Sequence, residues 1–453
     1  MTKMQLLRSD IVFGPIMDEL EKAPQILVGF SGGLDSTVLL ELLAETIPIE
    51  SLCAVHINHG LSPNANTWQV HVEDFCNSRN IALHCETVEV IASGKGLEDA
   101  ARQSRYGVFE SLLKQDGILL LGHHSDDQAE TLLYRLMRGS GAKGMSGMPA
   151  SRKVGQGRLI RPLLNWPKSS LITYAHNKKL EWVEDESNDV DAFERNYLRN
   201  QLIPVLAYQW PDYRQRLRAV AELSAESHEL AEAIAIETIA TLQPVEERAG
   251  WSLSVPLFNN LTPLKQKNLL RYWPQLKGLD CPGAKVINEV LVALIHARQD
   301  SVPMVSLGNG QYRRFRNRLY LLKVSKEVDS SASQQKEVIW NIDNPVSLSD
   351  GTHLSAEKTV GDGLRAELAA TLNVVTRKGG ERCKPAGIEH SNSLKKLLQE
   401  FNVEPWWRDR APLFFIDQQL VAVGNFWVCD GWQAKPGEKS IKIHWHANSW
   451  SNT

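Results

Sequence analysis

The sequence predicts an α/β protein: a doubly wound parallel sheet at the N-terminus, a helical middle domain, and a small α+β domain at the C-terminus. Three observations predict this. Short apolar runs alternate with helix-like segments from Gln25 to about Arg138. A stretch dense in Ala, Leu, Glu and Arg then runs from about Tyr213 to Leu242. Last, a polar, small-residue segment from Glu327 to Glu337 precedes a region with hairpin patterning. Apolar strands separated by amphipathic helices imply a parallel sheet covered on both faces, because each crossover helix packs back onto the sheet.

In order, the apolar run Gln25 to Phe30 reads as a strand, Thr37 to Glu45 as a helix and Leu52 to Ile57 as the next strand. A helix near Thr67 to Ser78, an extended run Ile81 to Val90, a helix Leu97 to Gln115, a strand Ile118 to Gly122 and a helix after Ser125 continue the alternation. Ligands of such a domain lie at the carboxyl ends of its strands. The glycine-rich loop Arg138 to Met148 follows, and the chain stays mixed through Asn200. The segment from Tyr213 reads as one long helix spanning about 40 Å at 1.5 Å per residue. Phe414 to Val423 reads as a hairpin. The expected domains are therefore 1–212, 213–325 and 339–453, with a flexible linker at 326–338.

Of 453 residues, 43% are hydrophobic and 23% charged, so the chain can bury several cores and is not globally disordered. A formal net charge of -3 means that a nucleic-acid partner must be held by local basic patches. Cys53, Cys76, Cys85, Cys281, Cys383 and Cys429 form no CxxC pair, which disfavours a zinc ribbon, an iron–sulfur site or a disulfide scaffold and suits a reducing cytoplasm. The first twenty residues lack the apolar core of a signal peptide, and no stretch reaches the 18 apolar residues of a membrane helix.

The sharpest signal is Ser31-Gly32-Gly33-Leu34-Asp35-Ser36, directly after a strand and directly before a helix. Its two glycines let the backbone approach an anion, and the amides at a helix start attract phosphate. Ser31 and Ser36 add hydroxyl donors, and Asp35 suits the magnesium that accompanies a nucleotide. No Gly-Lys-Ser/Thr follows, so this is not a Walker A loop, and it is not a GxGxxG fingerprint either.

Gly122-His123-His124-Ser125-Asp126-Asp127-Gln128-Ala129-Glu130-Thr131 begins where another strand ends and so faces the same crevice. Ser125 with Gln128 has the spacing of a capping box. Asp127 and Glu130, three apart, share one helix face, and two carboxylates aimed into a nucleotide crevice suit a cationic amine. His123 and His124 beside carboxylates invite a metal reading, which adjacency and the lack of an HExxH spacing disfavour. Arg102 with Arg105, and Arg195 and Asn196 with Arg199, place arginine forks suited to phosphate or a base edge.

Together these motifs resemble the bacterial tRNA(Ile)-lysidine synthases of the PP-loop ATP pyrophosphatase superfamily, with a Rossmann-like catalytic domain. The resemblance rests on SGGLDS at Ser31 to Ser36, HINHGL at His56 to Leu61, ARQSRY at Ala101 to Tyr106, HHSDDQAET at His123 to Thr131, RGSGAKGMSGM at Arg138 to Met148, RPLL at Arg161 to Leu164, and EDESN followed by RNYLR. RKGGERCKPAG, Arg377 to Gly387, resembles the longer form with extra tRNA-binding domains. Ser62 departs from the basic residue with which the HGL segment of relatives often continues.

The resemblance implies a ligase that uses ATP to adenylate O2 of cytidine 34 in the CAU anticodon of tRNA(Ile). The ε-amine of L-lysine then attacks C2 and expels AMP, changing the tRNA from methionine to isoleucine identity. Carried over, Ser31 to Ser36 bind the ATP phosphates with Asp35 on Mg2+, Asp127 and Glu130 hold the lysine amine, and Arg105 stabilises developing charge. Arg102, Arg195, Asn196 and Arg199 are tRNA contacts by the same reading, and a homodimer follows by analogy. A tRNA thiolase, a small-molecule amidating ligase and a noncatalytic tRNA-binding protein remain as alternatives. Basic and aromatic residues interleave at Tyr312 to Tyr320 and at Trp406 to Arg410, a pattern that suits phosphate neutralisation and base stacking and equally describes an ordinary strand.

Overall fold

The computed structural model describes residues 7–90, 97–184, 194–295, 303–324 and 337–447. The linker expected at 326–338 lies, up to residue 336, outside the described residues, as do residues 185–188 of the EDESN motif. The chain divides into two compact units, Met1–Leu230 and Ala231–Thr453.

In the first unit, two short helices, α1 (Ser9–Phe13) and α2 (Met17–Lys22), precede β1 (Ile26–Gly29), α3 (Leu34–Ala44), β2 (Leu52–Asn58), α4 (Ala65–Ser78) and β3 (Ala82–Thr87). Then come α5 (Leu97–Leu112), β4 (Ile118–Leu120), α6 (Ser125–Met137), α7 (Ala142–Met145), β5 (Ser151–Val154), β6 (Gly157–Ile160) and α8 (Lys168–Lys178). The segment closes with α9 (Glu194–Tyr197) and α10 (Ile203–Gln209).

The six strands form one sheet in the order β3-β2-β1-β4-β6-β5. All neighbours are parallel except the β5–β6 hairpin. The chain winds outward from β1 through β2 to β3 and returns to β4 on the other side of β1. The order of winding therefore reverses between β1 and β4, which opens a crevice at their carboxyl ends. One core packs α3, α4 and α8 on one face, through residues such as Val38, Leu42, Val72, Phe75 and Leu171. On the other face Phe109 of α5 and Leu113 just after it cover Leu27, Val55 and Leu119. Helix α3 buries Val38, Leu39, Leu40, Leu42 and Leu43 completely, which is why its sequence is apolar on all sides.

Helix α11 (Tyr213–Thr241) has 29 residues, close to the single long helix that its composition predicts. In the second unit, β7 (Val245–Glu247), β8 (Gly250–Ser254), α12 (Val255–Asn259), α13 (Pro263–Leu276), α14 (Ala284–Glu289), β9 (Met304–Leu307), β10 (Gly310–Phe315) and β11 (Arg318–Lys323) follow. The helices expected in this region are present. Beside them stands a five-stranded antiparallel sheet, β7-β8-β11-β10-β9, that the sequence reading did not name. Its strands are short, and their apolar residues join the helices in a core around Phe258, Trp273 and Tyr312.

The last region is sheet-rich. The predicted hairpin forms from Pro412–Ile416 and Gln419–Val423, paired antiparallel. A second pair, Thr352–Val360 with Lys439–Ala447, is in register over nine residues. Trp340, Phe414 and Trp445 are all nearly inaccessible in a shared core.

Several side chains of the two interleaved basic and aromatic segments are turned inward. Tyr312 is fully buried and its hydroxyl donates to Leu270 O at 2.7 Å. Arg314 donates to the carbonyls of Leu294 and Ile295. The Trp406 ring meets Tyr320 at 5.0 Å and Phe315 at 6.3 Å, with the Arg313 guanidinium over it at 5.2 Å. The two segments are partners of each other, because aromatic faces and arginines that suit a base or phosphate suit one another equally well.

Candidate active site

The chain leaves β1 through Phe30, whose N–H donates to Val55 O, and turns at Gly32 with φ of +83°. A Cβ at Gly32 would lie 3.0 Å from the Val72 side chain, so conformation and space both require glycine. The two serines brace this turn. The Ser36 hydroxyl donates to Gly33 O at 3.0 Å and accepts from the Ser31 N–H at 3.2 Å, and the Gly33 N–H donates to Ser31 Oγ at 3.3 Å. Helix α3 starts at Leu34 with no side-chain cap, so its first amides face the crevice as an anion site.

Gly122, at the end of β4, brings the second segment against this loop. A Cβ there would lie 2.8 Å from Asp35 O. The helix that follows is capped differently from the sequence expectation. His124, not Ser125, is the N-cap of α6, and its partner is Asp127, not Gln128. The Asp127 N–H donates to His124 Nδ1 at 3.3 Å, and the His124 N–H donates to Asp127 Oδ2 at 2.9 Å. Gln128 instead binds the backbone of Met148 through both ends of its amide. With Nδ1 accepting, the His124 ring presents Nε2–H to Asp35 Oδ1 at 3.4 Å.

Asp35, His124 and Asp127 thus converge, one ligand atom of each lying within 4.8 Å of the others. Sequence reasoning set His124 aside because adjacent histidines diverge. They do diverge: His123 Nδ1 accepts from Arg161 Nε at 3.3 Å. Burial pushes up the Asp127 carboxyl, and Asp35 adds to the rise against the opposing pull of His124 and Arg199. Burial disfavours a charged His124, but the hydrogen bond to Asp35 and the nearby carboxylates outweigh it and raise its proton affinity. His123 is pushed down to about 3 by burial and by Arg161, Arg105 and Arg102, so it stays neutral. Arg161, 3% exposed, was not singled out as a site residue; its position in the RPLL motif was the available signal.

Glu130 lies one turn along α6 and is buried. Arg199 Nε and Nη2 donate to Glu130 Oε2 at 3.0 and 2.8 Å. Burial raises the Glu130 carboxyl in spite of that pair. Asp126 does not face Asp35; it binds Arg214 Nε at 2.6 Å and the Lys168 N–H at 2.9 Å. The Arg195 guanidinium lies over the Tyr134 ring at 5.3 Å, Asn196 is half-buried beside it in α9, and Arg102 lies over Tyr106 at 5.2 Å. Arg105 is exposed on α5 and acts on His59 and His123 through its field.

The arrangement is an anion-binding loop facing paired carboxylates across a switch-point crevice, which suits nucleotide activation followed by attack of an amine. Residues 7–206 match the PP-loop domain family, 253–320 the TilS substrate binding domain and 372–445 the TilS substrate C-terminal domain. A tRNA(Ile)-lysidine synthase of Coxiella burnetii is 36% identical over 416 residues, covering 91% of each chain. One of Alkalilimnicola ehrlichii is 38% identical, covering 91% of this chain and 92% of the other. The chain belongs to the tRNA(Ile)-lysidine synthase family. Members of the tRNA(Ile)-lysidine synthase family are ATP-using PP-loop ligases, and this chain carries the family's catalytic and substrate domains alike. A solved U34-tRNA thiolase, NcsA from Methanococcus maripaludis, is similar at 17% identity with a TM-score of 0.38 over 48% of this chain and 80% of that one.

Proposed function

We propose that this enzyme adenylates O2 of cytidine 34 in the CAU anticodon of tRNA(Ile) and joins the ε-amine of L-lysine to C2. In the first step O2 attacks the α-phosphorus of ATP and pyrophosphate leaves. In the second the amine attacks C2, AMP leaves, and the amine proton passes to a base. The single observation that carries this reading is the meeting of the glycine loop with Asp35, His124 and Asp127 at the β1/β4 crevice.

Residues 31–36 hold the phosphates, the loop being preset by the Ser31–Ser36 hydrogen bonds. Asp35 fits Mg2+, because its Oδ1 is buried with only the His124 ring nitrogen near it, at 3.4 Å, and hard cations prefer carboxylate oxygen. Bound there, the ion would offset phosphate charge. His124 directs its N–H toward the Asp35 carboxylate and fixes the Asp127 backbone. Asp127 and Glu130 receive the lysine amine; the two Arg199 bonds fall on Glu130 Oε2 and leave Oε1 for the substrate. Arg105, with Arg102 and Arg161, lines an electropositive flank that stabilises negative charge on the departing phosphates. Arg102, Arg195, Asn196 and Arg199 contribute to seating tRNA beside it.

Residues 1–212 form the catalytic domain, and 213–325 and 339–453 the tRNA-binding domains, in a cytoplasmic enzyme that works as a homodimer. No helix among the described residues is long and apolar enough to cross a membrane. The test is incubation with ATP, Mg2+, radiolabelled lysine and either tRNA(Ile) with a CAU anticodon or elongator methionine tRNA. Label on the isoleucine species alone, lost in Asp35→Ala, is expected. ATP cleavage without label on any tRNA would sink lysine transfer.

A further inference from the structure

Helix α6 carries the proposed lysine carboxylates, and three residues at four-residue spacing on it, Asp126, Glu130 and Tyr134, form one stripe. Each meets an arginine, Arg195 and Arg199 from the segment around α9 and Arg214 from the first turn of α11. Arg214 Nε donates to Asp126 Oδ1 at 2.6 Å, Arg199 donates to Glu130, and Arg195 lies over Tyr134. The other Asp126 oxygen accepts the Lys168 N–H, and the Ser125 N–H donates to Trp166 O, so the helix start is also tied to the turn before α8. One carboxylate therefore joins segments 42 and 88 residues away. The Asp126 side chain is only 20% exposed, so its charge is partly desolvated and relies on these donors.

Asp127 is outside this stripe. Successive residues of an α-helix are separated by about 100° around the axis, so fixing Asp126 and Glu130 fixes the bearing of Asp127 toward Asp35 and His124. A rotation of α6 by a few degrees would move Asp127 against residues held by another strand. We propose that Arg214 and Arg199 act as positioning residues for lysine transfer, gripping α6 through Asp126 and Glu130 so that Asp127 faces the amine. This rests on the proposed assignment of the lysine amine to Asp127 and Glu130. It gives the motif's first aspartate a role distinct from the second, and it gives Arg199 an intramolecular role beside its proposed one on tRNA.

The test uses the full-length enzyme with Arg214→Gln, Arg214→Lys, Asp126→Asn and the Asp126→Asn/Arg214→Gln pair, with Asp127→Asn alongside. KM for lysine, KM for tRNA, tRNA-dependent formation of the adenylate and Tm are measured. Arg214→Gln is expected to raise KM for lysine about tenfold while KM for tRNA and adenylate formation hold within about twofold. Arg214→Lys should recover part of the loss, and the double variant should be no worse than the worse single one, since both remove one contact. A rise in tRNA KM alone would make Arg214 a tRNA contact and overturn the proposal, as would wild-type lysine KM in Arg214→Gln and Asp126→Asn while Asp127→Asn is impaired. If Asp127→Asn itself leaves lysine KM unchanged, the amine assignment fails instead. Should Arg214→Gln not fold, the Asp126→Asn and Arg214→Lys kinetics decide between these outcomes.

Discussion

The glycine loop at Ser31 to Ser36 and the aromatic–basic segments at Tyr312 to Tyr320 and Trp406 to Arg410 both carry residues that suit a ligand, and they use those residues differently. The loop leaves polar groups in a crevice: Asp35 Oδ1 is buried with only the His124 ring nitrogen near it, at 3.4 Å, and the first amides of α3 have no intrahelical acceptor. The aromatic–basic segments instead pack their rings largely against one another. Trp406 is enclosed by Phe315, Tyr320 and Arg313, and Trp407 packs edge-on against Trp445 at 5.4 Å. A backbone geometry that only glycine allows has few uses besides close approach to a ligand. A residue pattern that two parts of one chain can satisfy between themselves is weak evidence of a partner.

Five experiments sharpen or break that contrast. The largest effect is expected for Asp35→Ala, which should lower the rate of lysine incorporation by about 100-fold or more with Tm unchanged, as befits a group used by the ligand and not by the fold. Asp127→Asn should raise KM for lysine by about 10- to 100-fold, the cost of losing a charged hydrogen bond. In the second unit, Trp407→Ala should cost about 3–5 kcal/mol in calorimetric unfolding, as for other buried tryptophans, and adenylation chemistry should survive wherever the protein remains folded. Trp406→Ala should lower the Tm; a Trp406→Ala protein with unchanged Tm and weakened tRNA binding would reverse the assignment made for that segment. The smallest effect is expected at the exposed Lys358–Asp343 pair, where Lys358→Ala should change stability by no more than about 0.5 kcal/mol.

The catalytic fold was legible because its signals are local. Strands of apolar residues alternate with amphipathic helices, and the loop lies at the junction of β1 and α3. The five-stranded sheet was not legible, since β7 and β9 are three and four residues long and the two hairpins are joined only where β8 (Gly250–Ser254) pairs with β11 (Arg318–Lys323), far along the chain. At the site, Asp127 and Glu130 could be placed on one helix from spacing alone. The role of His124 could not, because a histidine N-cap competes with a serine one residue later that has the better intrinsic preference. Tertiary contact decided it: the ring at position 124 gains Asp35, whereas Ser125 gives its N–H to Trp166 O. The pairing of Arg214 with Asp126 spans 88 residues and left no trace in the sequence.

Gly122 has a consequence for how this site can change over time. Because a Cβ there would lie 2.8 Å from the Asp35 carbonyl, the gap between the two halves of the crevice is set by backbone against backbone. That gauge has no charge to titrate or screen, so the spacing of the halves holds across pH and salt while the side chains around it respond. Loops, flanking arginines and helix caps can change without touching this contact, but any residue larger than glycine at this point changes the width of the crevice itself.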